Sequence, residues 1–354
     1  MKVGLILHPY GEKYAAGLGR SIFSLVQSIV EQDVETNYII FIKENISVAD
    51  PVFKTKNYEV RRLKGGLFWL DRGLSDKTID CFLFFTPFMP IFRKLKKSIV
   101  VVHDLGFLSI KTKDWKEKLS RIFLKLIQKR AITMADKIIT VSTYTKEEVK
   151  KFIPFSTNKI TVIYNGFNDV CEFGEENSEI NKPYFVSVGV MKERKNPIRI
   201  LKAFEEFKEK TGLPHQLIYV GKYSAGTLVS TIRASARAKD IVLLDYVSEK
   251  KLCHIYRNAE ALVYPSLLEG FGMPILEAMS CGTVVITSDI GAMKELGDGA
   301  SILVDPYNAR DIAKAMEIVS VDSDLRKSLV EKGIERAGQF SWIKAGAEYI
   351  KLIH

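Results

Sequence analysis

A chain of 354 residues, 47% hydrophobic and 27% charged, has the composition of a globular protein and is too long for one ordinary core, which predicts two domains. No apolar run approaches the ~18–20 residues that spanning a bilayer needs, and the short apolar stretch at the N-terminus stops at His8-Pro9 without a small-residue cleavage site, so it reads as a buried first strand and not as a signal peptide. The net charge of +10 is concentrated: 93–97 (RKLKK) holds four basic residues, and 111–130 holds eight against two acidic ones, which together equal the excess of the whole chain.

Short apolar runs alternate with helix-period segments along the chain, the pattern of parallel sheets covered by helices. In the first half, strands are expected at Lys2–Leu7, Tyr38–Ile42, Ile79–Phe84, Ile99–Val102, Lys137–Val141 and Ile160–Ile163, with helices over much of 17–32, 114–134 and 143–152. Ala16-Gly17-Leu18-Gly19-Arg20 precedes an amphipathic helix; as a dinucleotide fingerprint it fails, because Ile22 stands where a third glycine belongs. His103-Asp104 follows the apolar run SIVVV, where a histidine ordinarily bonds a backbone carbonyl.

The segment 111–130 spaces Trp115, Leu119, Ile122, Phe123, Leu126 and Ile127 at helical intervals among its cations. Such a helix lies on an anionic membrane surface or packs on its own sheet with a charged face outward; the confined charge favours the first, with 93–97 and 111–130 as the segments that meet the surface. Its aromatics are not interleaved with the basic residues as stacking platforms, which argues against nucleic acid.

Asn165-Gly166 marks a turn, and the polar, acidic stretch 169–182 reads as an interdomain linker. A second alternation then predicts strands at Tyr184–Val188, Gln216–Val220, Ile241–Leu244, Ala261–Tyr264, Val284–Thr287 and Ser301–Val304, and a last helix over 342–352 capped by Ser341. Two doubly wound domains result, 1–168 (with 341–354 crossing back) and 182–340, and sheets of this kind bind ligands beyond the carboxyl ends of their strands, here expected in a cleft between the domains. Cys81, Cys171, Cys253 and Cys281 lie far apart with no Cys-x-x-Cys pair; no zinc site and no oxidising compartment is expected, so a cytoplasmic location follows.

Two stretches of the second half carry chemistry. Ser266–Ala278 reads SLLEGFGMPILEA after an apolar strand: Glu269 and Glu277 have seven residues between them, Gly270-Phe271-Gly272 offers a loop that presents backbone N–H groups, and Pro274 suits the first turn of a helix whose positive end favours an anion. Each glutamate taken alone is equally read as a helix-dipole or capping residue. Val186–Asn196 (VSVGVMKERKN) places Lys192, Arg194 and Lys195 after a strand; Lys192 reads as a solvated surface residue. Asp322-Ser323-Asp324 has an Asp-x-Asp form but precedes a helical segment, and reads as an N-cap.

The string around Glu269 and Glu277 resembles the Glu-x7-Glu motif of the retaining glycosyltransferases of family 4. The stretches CGTVVITSDIGAMKEL and SILVDPYNARDIAKAM resemble that family's sequence C-terminal to the motif, although the usual glycine pair is reduced to Gly291-Ala292. The resemblance implies a GT-B fold and transfer of a sugar, with retention, from a nucleoside-diphosphate sugar to a glycan or lipid-linked hydroxyl acceptor in surface polysaccharide or glycolipid assembly, without cofactor or essential metal. It implies that Glu277 binds the ribose hydroxyls and that Glu269 faces the donor sugar with the backbone of Gly270, Phe271 and Gly272. It assigns Lys195, and after it Arg194, to the diphosphate, His103 to the donor sugar, and Gly17 and Gly19 to a close backbone approach to donor phosphates and acceptor; Arg20 is either catalytic or structural. The stretch 245–248 resembles the family's region near the base, with the Val247 backbone in contact. Where relatives have an arginine after the strand's glycine, this chain has Val190. The alternatives are a non-catalytic nucleotide-sugar-binding module, another GT-B enzyme such as an epimerase or phosphorylase, and a dehydrogenase, which the failed fingerprint disfavours.

Overall fold

A computed structural model describes the chain except for residues 11–15, 45–48, 67, 107–114, 173, 175, 177–179, 181–182 and 224–226. It forms two compact units, Met1–Gly166 with Ser341–His354, and Phe167–Phe340.

The first unit runs β1 (Lys2–Ile6), α1 (Ala16–Gln32), β2 (Asn37–Lys43), β3 (Tyr58–Leu63), α2 (Trp69–Gly73), β4 (Cys81–Phe84), β5 (Ser98–Val102), α3 (Trp115–Met134), β6 (Lys137–Thr140), α4 (Thr143–Phe152) and β7 (Ile160–Val162). Its sheet is parallel throughout, in the order β3-β2-β1-β4-β5-β6-β7. The central strands read as unbroken apolar runs because both of their faces are covered: every residue of β4 and β5 is buried. β3 was not expected from the sequence. Its run YEVRRL buries only Leu63, as suits a charged edge strand that resists further pairing.

The second unit runs β8 (Tyr184–Val188), α5 (Pro197–Thr211), β9 (Gln216–Val220), α6 (Thr227–Arg233), β10 (Ile241–Leu244), α7 (Glu249–Arg257), β11 (Ala261–Tyr264), α8 (Met273–Ser280), β12 (Val285–Ser288), α9 (Gly291–Gly297), β13 (Ile302–Val304), α10 (Ala309–Val321) and α11 (Ser323–Ala337). Six parallel strands lie in the order β10-β9-β8-β11-β12-β13. Asp322 caps α11 through the Leu325 N–H, as its Asp-x-Asp context predicts.

The last helix, α12 (Trp342–Ile353), is capped by Ser341 and returns to the first unit. Gly346 lets it lie against α1, since a Cβ there would come 2.5 Å from Ser28 Oγ. Ser28 donates to the Trp342 carbonyl at 2.6 Å. At the far end the Lys97 and Lys137 ammoniums donate to the carbonyls of Ile353 and Leu352, cations set where the helix dipole is negative.

Within the stretch read as an interdomain linker, Glu176 touches the start of α7: the Ser248 hydroxyl donates to the Glu176 carboxylate at 2.8 Å, and the Glu176 N–H reaches the Lys250 carbonyl. Within 93–97, Arg93 donates to the Asp71 carbonyl, Lys96 pairs with Asp80 and Lys97 donates to the end of α12. One expectation is corrected. The cysteines are not all apart. Cys171 and Cys253 form a disulfide, and the sulfurs of Cys171, Cys253 and Cys281 lie within 4.8 Å of one another, because 169–182, α7 and the end of α8 converge. Sequence separation carried no information about that convergence.

Candidate active site

In a doubly wound sheet, two neighbouring strands whose connections leave in opposite directions open a crevice at their carboxyl ends. In the second unit these strands are β8 and β11. Arg194 and Lys195 leave from the end of β8, and Glu269 with Gly270-Phe271-Gly272 from the end of β11.

β8 ends at Gly189, which has φ of 130°, a conformation that glycine adopts freely; a Cβ there would press on Lys195 Cε at 3.3 Å. The chain then forms a single 3-10 turn, Glu193–Lys195, closed by Asn196 in the left-handed region. Asn196 is buried and its amide donates to the carbonyls of Pro265, at 3.0 Å, and Pro306, at 2.6 Å, so it ties this turn to the loops after β11 and β13. The sequence marks Gly189 as the glycine that ends a strand and Asn196 as the close of a basic string, but gives neither a role. An asparagine immediately before a helix-opening proline was the available signal for the second.

Held in this way, Arg194 Nη1 and Lys195 Nζ each lie 2.6 Å from Glu269 Oε1. Lys195 also donates to the Tyr264 hydroxyl and sits 4.3 Å from the centre of that ring. Glu269 is buried. Burial alone would raise its pKa, but Lys195 and Arg194 outweigh burial and hold the carboxyl below the usual range, so it is ionised at neutral pH. Burial works in the opposite direction on Lys195, lowering its pKa, with Glu269 opposing. The two cations share one carboxylate oxygen in surroundings of low dielectric, where such pairs are strongest.

Gly270, Phe271 and Gly272 follow Glu269, all buried, with Phe271 edge-on to Phe340. Gly272, at φ of 112°, turns the chain into α8, and Pro274 occupies its first turn. Glu277 is the fifth residue of α8, which begins at Met273; the Tyr256 hydroxyl of α7 donates to Glu277 Oε2 at 3.3 Å. Val247 lies in the connection from the edge strand β10 to α7.

His103, Gly17 and Gly19 belong to the first unit. The two glycines lie inside the opening of α1 instead of before it, and the Ser21 hydroxyl donates to the Gly17 carbonyl. His103 leaves the end of β5, and its Nε2–H donates to the Phe85 carbonyl beyond β4 at 2.9 Å. That bond makes Nδ1 the acceptor nitrogen of the neutral ring. Burial lowers the His103 pKa, against the opposing pull of Phe85 and Asp104, and keeps the ring neutral.

The segment 111–130 departs from an ordinary sheet-packed helix. Its first four residues lie outside the described ones, but on α3 the residues Trp115, Leu119, Ile122, Phe123 and Leu126 are each more than half exposed, while Gln128, Ala131 and Ile132 are buried. No helix among the described residues is long and apolar enough to cross a membrane.

Comparison with known proteins agrees with this architecture. Residues 16–169 match the family described as Glycosyltransferase Family 4, and residues 172–336 match Glycosyl transferases group 1. The chain is 25% identical to O-antigen chain mannosyltransferase B of Escherichia coli over 285 residues, 77% of this chain and 73% of the relative. Among solved structures, sucrose-phosphate synthase from Thermosynechococcus elongatus superposes with a TM-score of 0.76 at 18% identity, over 99% of this chain and 98% of the other. Anabaena HepE in complex with UDP and glucose gives 0.74 at 15% identity, over 99% of each chain. With two all-parallel sheets, both family matches and GT-B glycosyltransferases as structural neighbours, the chain belongs to the group 1, family 4 glycosyltransferases and has the GT-B fold.

Proposed function

We propose that this glycosyltransferase transfers a sugar, with retention at the anomeric carbon, from a nucleoside-diphosphate sugar to a hydroxyl acceptor in surface polysaccharide or glycolipid assembly. The observation that carries the reading is the buried, ionised Glu269 clamped by Arg194 and Lys195 at the β8–β11 crevice, beside the N-terminus of α8. A departing nucleoside diphosphate gains negative charge as the glycosidic bond breaks, and fixed cations with a helix N-terminus lower that barrier. Lys195 turns from Glu269 to the diphosphate, and Glu269 accepts hydrogen bonds from the donor sugar and opposes the positive charge growing at its anomeric carbon. Glu277, oriented by Tyr256, takes the ribose hydroxyls, and Val247 passes the base. His103 offers its Nδ1 lone pair to a sugar hydroxyl, and Gly17 and Gly19 bring backbone near the phosphates. The acceptor attacks on the face the diphosphate leaves, and the phosphate takes the acceptor's proton, so no side chain serves as general base and no metal is needed to bear the charge.

The acceptor is lipid-linked, and the enzyme sits at the cytoplasmic face of a membrane by α3. Apolar side chains in its exposed half, among Arg121, Lys125 and Lys129, suit an anionic bilayer surface. The O-antigen mannosyltransferase and the UDP-bound neighbour make mannosyl and glucosyl donors the first to test. The deciding experiment is thermal stabilisation by UDP, GDP, ADP and their sugars, followed by transfer with the anomeric configuration of the product read by NMR. One nucleotide family that stabilises wild type, and does so less in Lys195→Ala and Glu277→Ala, supports the site. A wild type that no nucleotide stabilises refutes the donor assignment, and an inverted product refutes retention.

A further inference from the structure

Outside the crevice, one cluster of nucleophilic side chains has no part in the chemistry above. Cys171 lies just past the first unit, Cys253 on α7, and Cys281 caps the end of α8. Cys171 and Cys253 are joined, and the free thiol of Cys281 stands 3.2 Å from Cys171 Sγ. A thiol at van der Waals distance from a disulfide sulfur is within reach of exchange; attack runs along the S–S bond, and since the three sulfurs lie within 4.8 Å of one another a rotation of the Cys281 side chain into line precedes it. Cys81, the other free cysteine, is buried in the first unit's sheet and has no such neighbour among the described residues.

We propose that Cys171, Cys253 and Cys281 form an internal thiol–disulfide exchange site, in which Cys281 displaces Cys253 and the tether of the 169–182 segment passes from α7 to the end of α8. The Cys281 thiol gives its proton to solvent, and its sulfur bonds to Cys171 Sγ. The electron pair of the Cys171–Cys253 bond leaves on Cys253, which takes a proton from water. One disulfide is lost and one formed, with no net oxidation, so no external oxidant or reductant enters. A small dithiol reduces either form by the same route.

The surroundings set the rate. Burial, foremost, pushes the Cys281 thiol up to about 12; the carboxylates of Asp169 and Glu277 add to this, and Ser280 and Arg257 oppose it. Little thiolate exists near neutrality, so exchange is slow there and accelerates about tenfold per pH unit in the alkaline range, following the thiolate fraction. The two cysteines that compete for Cys171 lie three residues from Tyr256 and four from Glu277, which hydrogen-bond to each other across α7 and α8. The exchange therefore shifts the tether between the two helices that orient the Glu277 carboxylate. Its effect on nucleotide binding rests on the function proposed above; the exchange itself does not.

The test maps disulfides in the full-length protein. Oxidised wild type is held at pH 9, quenched in acid, alkylated, digested and analysed by mass spectrometry. Both Cys171–Cys253 and Cys171–Cys281 peptides are expected, with only the first in Cys281→Ser. Cys253→Ser treated with oxidised glutathione is expected to form Cys171–Cys281. If the wild type yields the Cys171–Cys253 peptide alone after prolonged incubation at pH 9, the proposal fails. It fails also if Cys253→Ser ends with separate glutathione adducts on Cys171 and Cys281. Retention of one zinc by the reduced protein, protecting all three thiols from alkylation, would make the trio a metal site instead. UDP and GDP affinity of the two disulfide isomers is measured separately: equal affinities count against the link to Glu277 and leave the exchange standing on the peptide maps.

Discussion

Lys195 holds its ammonium 2.6 Å from the Glu269 carboxylate, and the two residues arrive from the carboxyl ends of strands that are neighbours in the sheet but far apart in the chain. Both side chains are largely shielded, and Arg194 reaches the same carboxylate oxygen at 2.6 Å, so loss of Glu269 strands two cations while loss of Lys195 leaves Glu269 one partner.

Removing one partner should therefore expose the cost of burying the other. Glu269→Ala is expected to lose about 3 kcal/mol of stability in urea unfolding. The double variant with Lys195→Ala should lose less than the sum of the singles, by at least ~1 kcal/mol. Additive losses would show that the pair is not energetically coupled.

Gly189→Ala should act on the same lysine from below. The left-handed backbone at Gly189 and the close Cε of Lys195 both resist a Cβ, and a loss of about 1–3 kcal/mol is expected. Affinity for the stabilising nucleotide should fall with it; unchanged stability and affinity would show that the loop yields without cost.

His103 supplies a pH dependence of known sign. Its folded pKa lies below the ordinary 6.5, so as pH falls the unfolded chain takes the proton first, and stability declines from pH 6.5 downward to the folded value. Urea midpoints at pH 7.5 and 5.5 should differ less in His103→Gln than in wild type. A wild type and variant with the same pH slope would locate the titration elsewhere.

On α3, Phe123→Glu with Leu126→Glu should abolish sedimentation with anionic vesicles. The thermal transition should barely change, since substitutions at exposed positions usually cost within ~0.5 kcal/mol. A large loss of stability would mean that this face is covered within the folded protein.

Gly346→Val tests the seam between α12 and α1. The added side chain meets Ser28 and Gln32, and overpacking of this kind costs about 1–3 kcal/mol. A variant as stable as wild type in calorimetry would show that the helices separate freely.

The strands were legible because two-sided burial leaves long apolar runs, as in SIVVV and ALVYP, and the glutamate pair because its string is specific. β3 escaped notice since an edge strand keeps its charges, and YEVRRL resembles any polar stretch. The periodicity of α3 revealed an apolar face but not which way that face turns, since the same pattern serves a sheet or a bilayer. The cysteine cluster and the Asn196 tie were illegible for a simpler reason: both join segments that only the sheet order brings together.

The return of α12 to the first unit bears on how the protein is made. Residues 1–166 leave the ribosome before 167–340, yet α1 at Ser28 and Gln32 meets its partner only once 341–354 have been synthesised. The second unit is one continuous stretch, and nascent domains generally fold as units as they emerge. It can therefore close before the first is complete. The unit begun before the second one is completed after it, and a chain cut short after Phe340 carries the whole of the second unit beside a first one without α12.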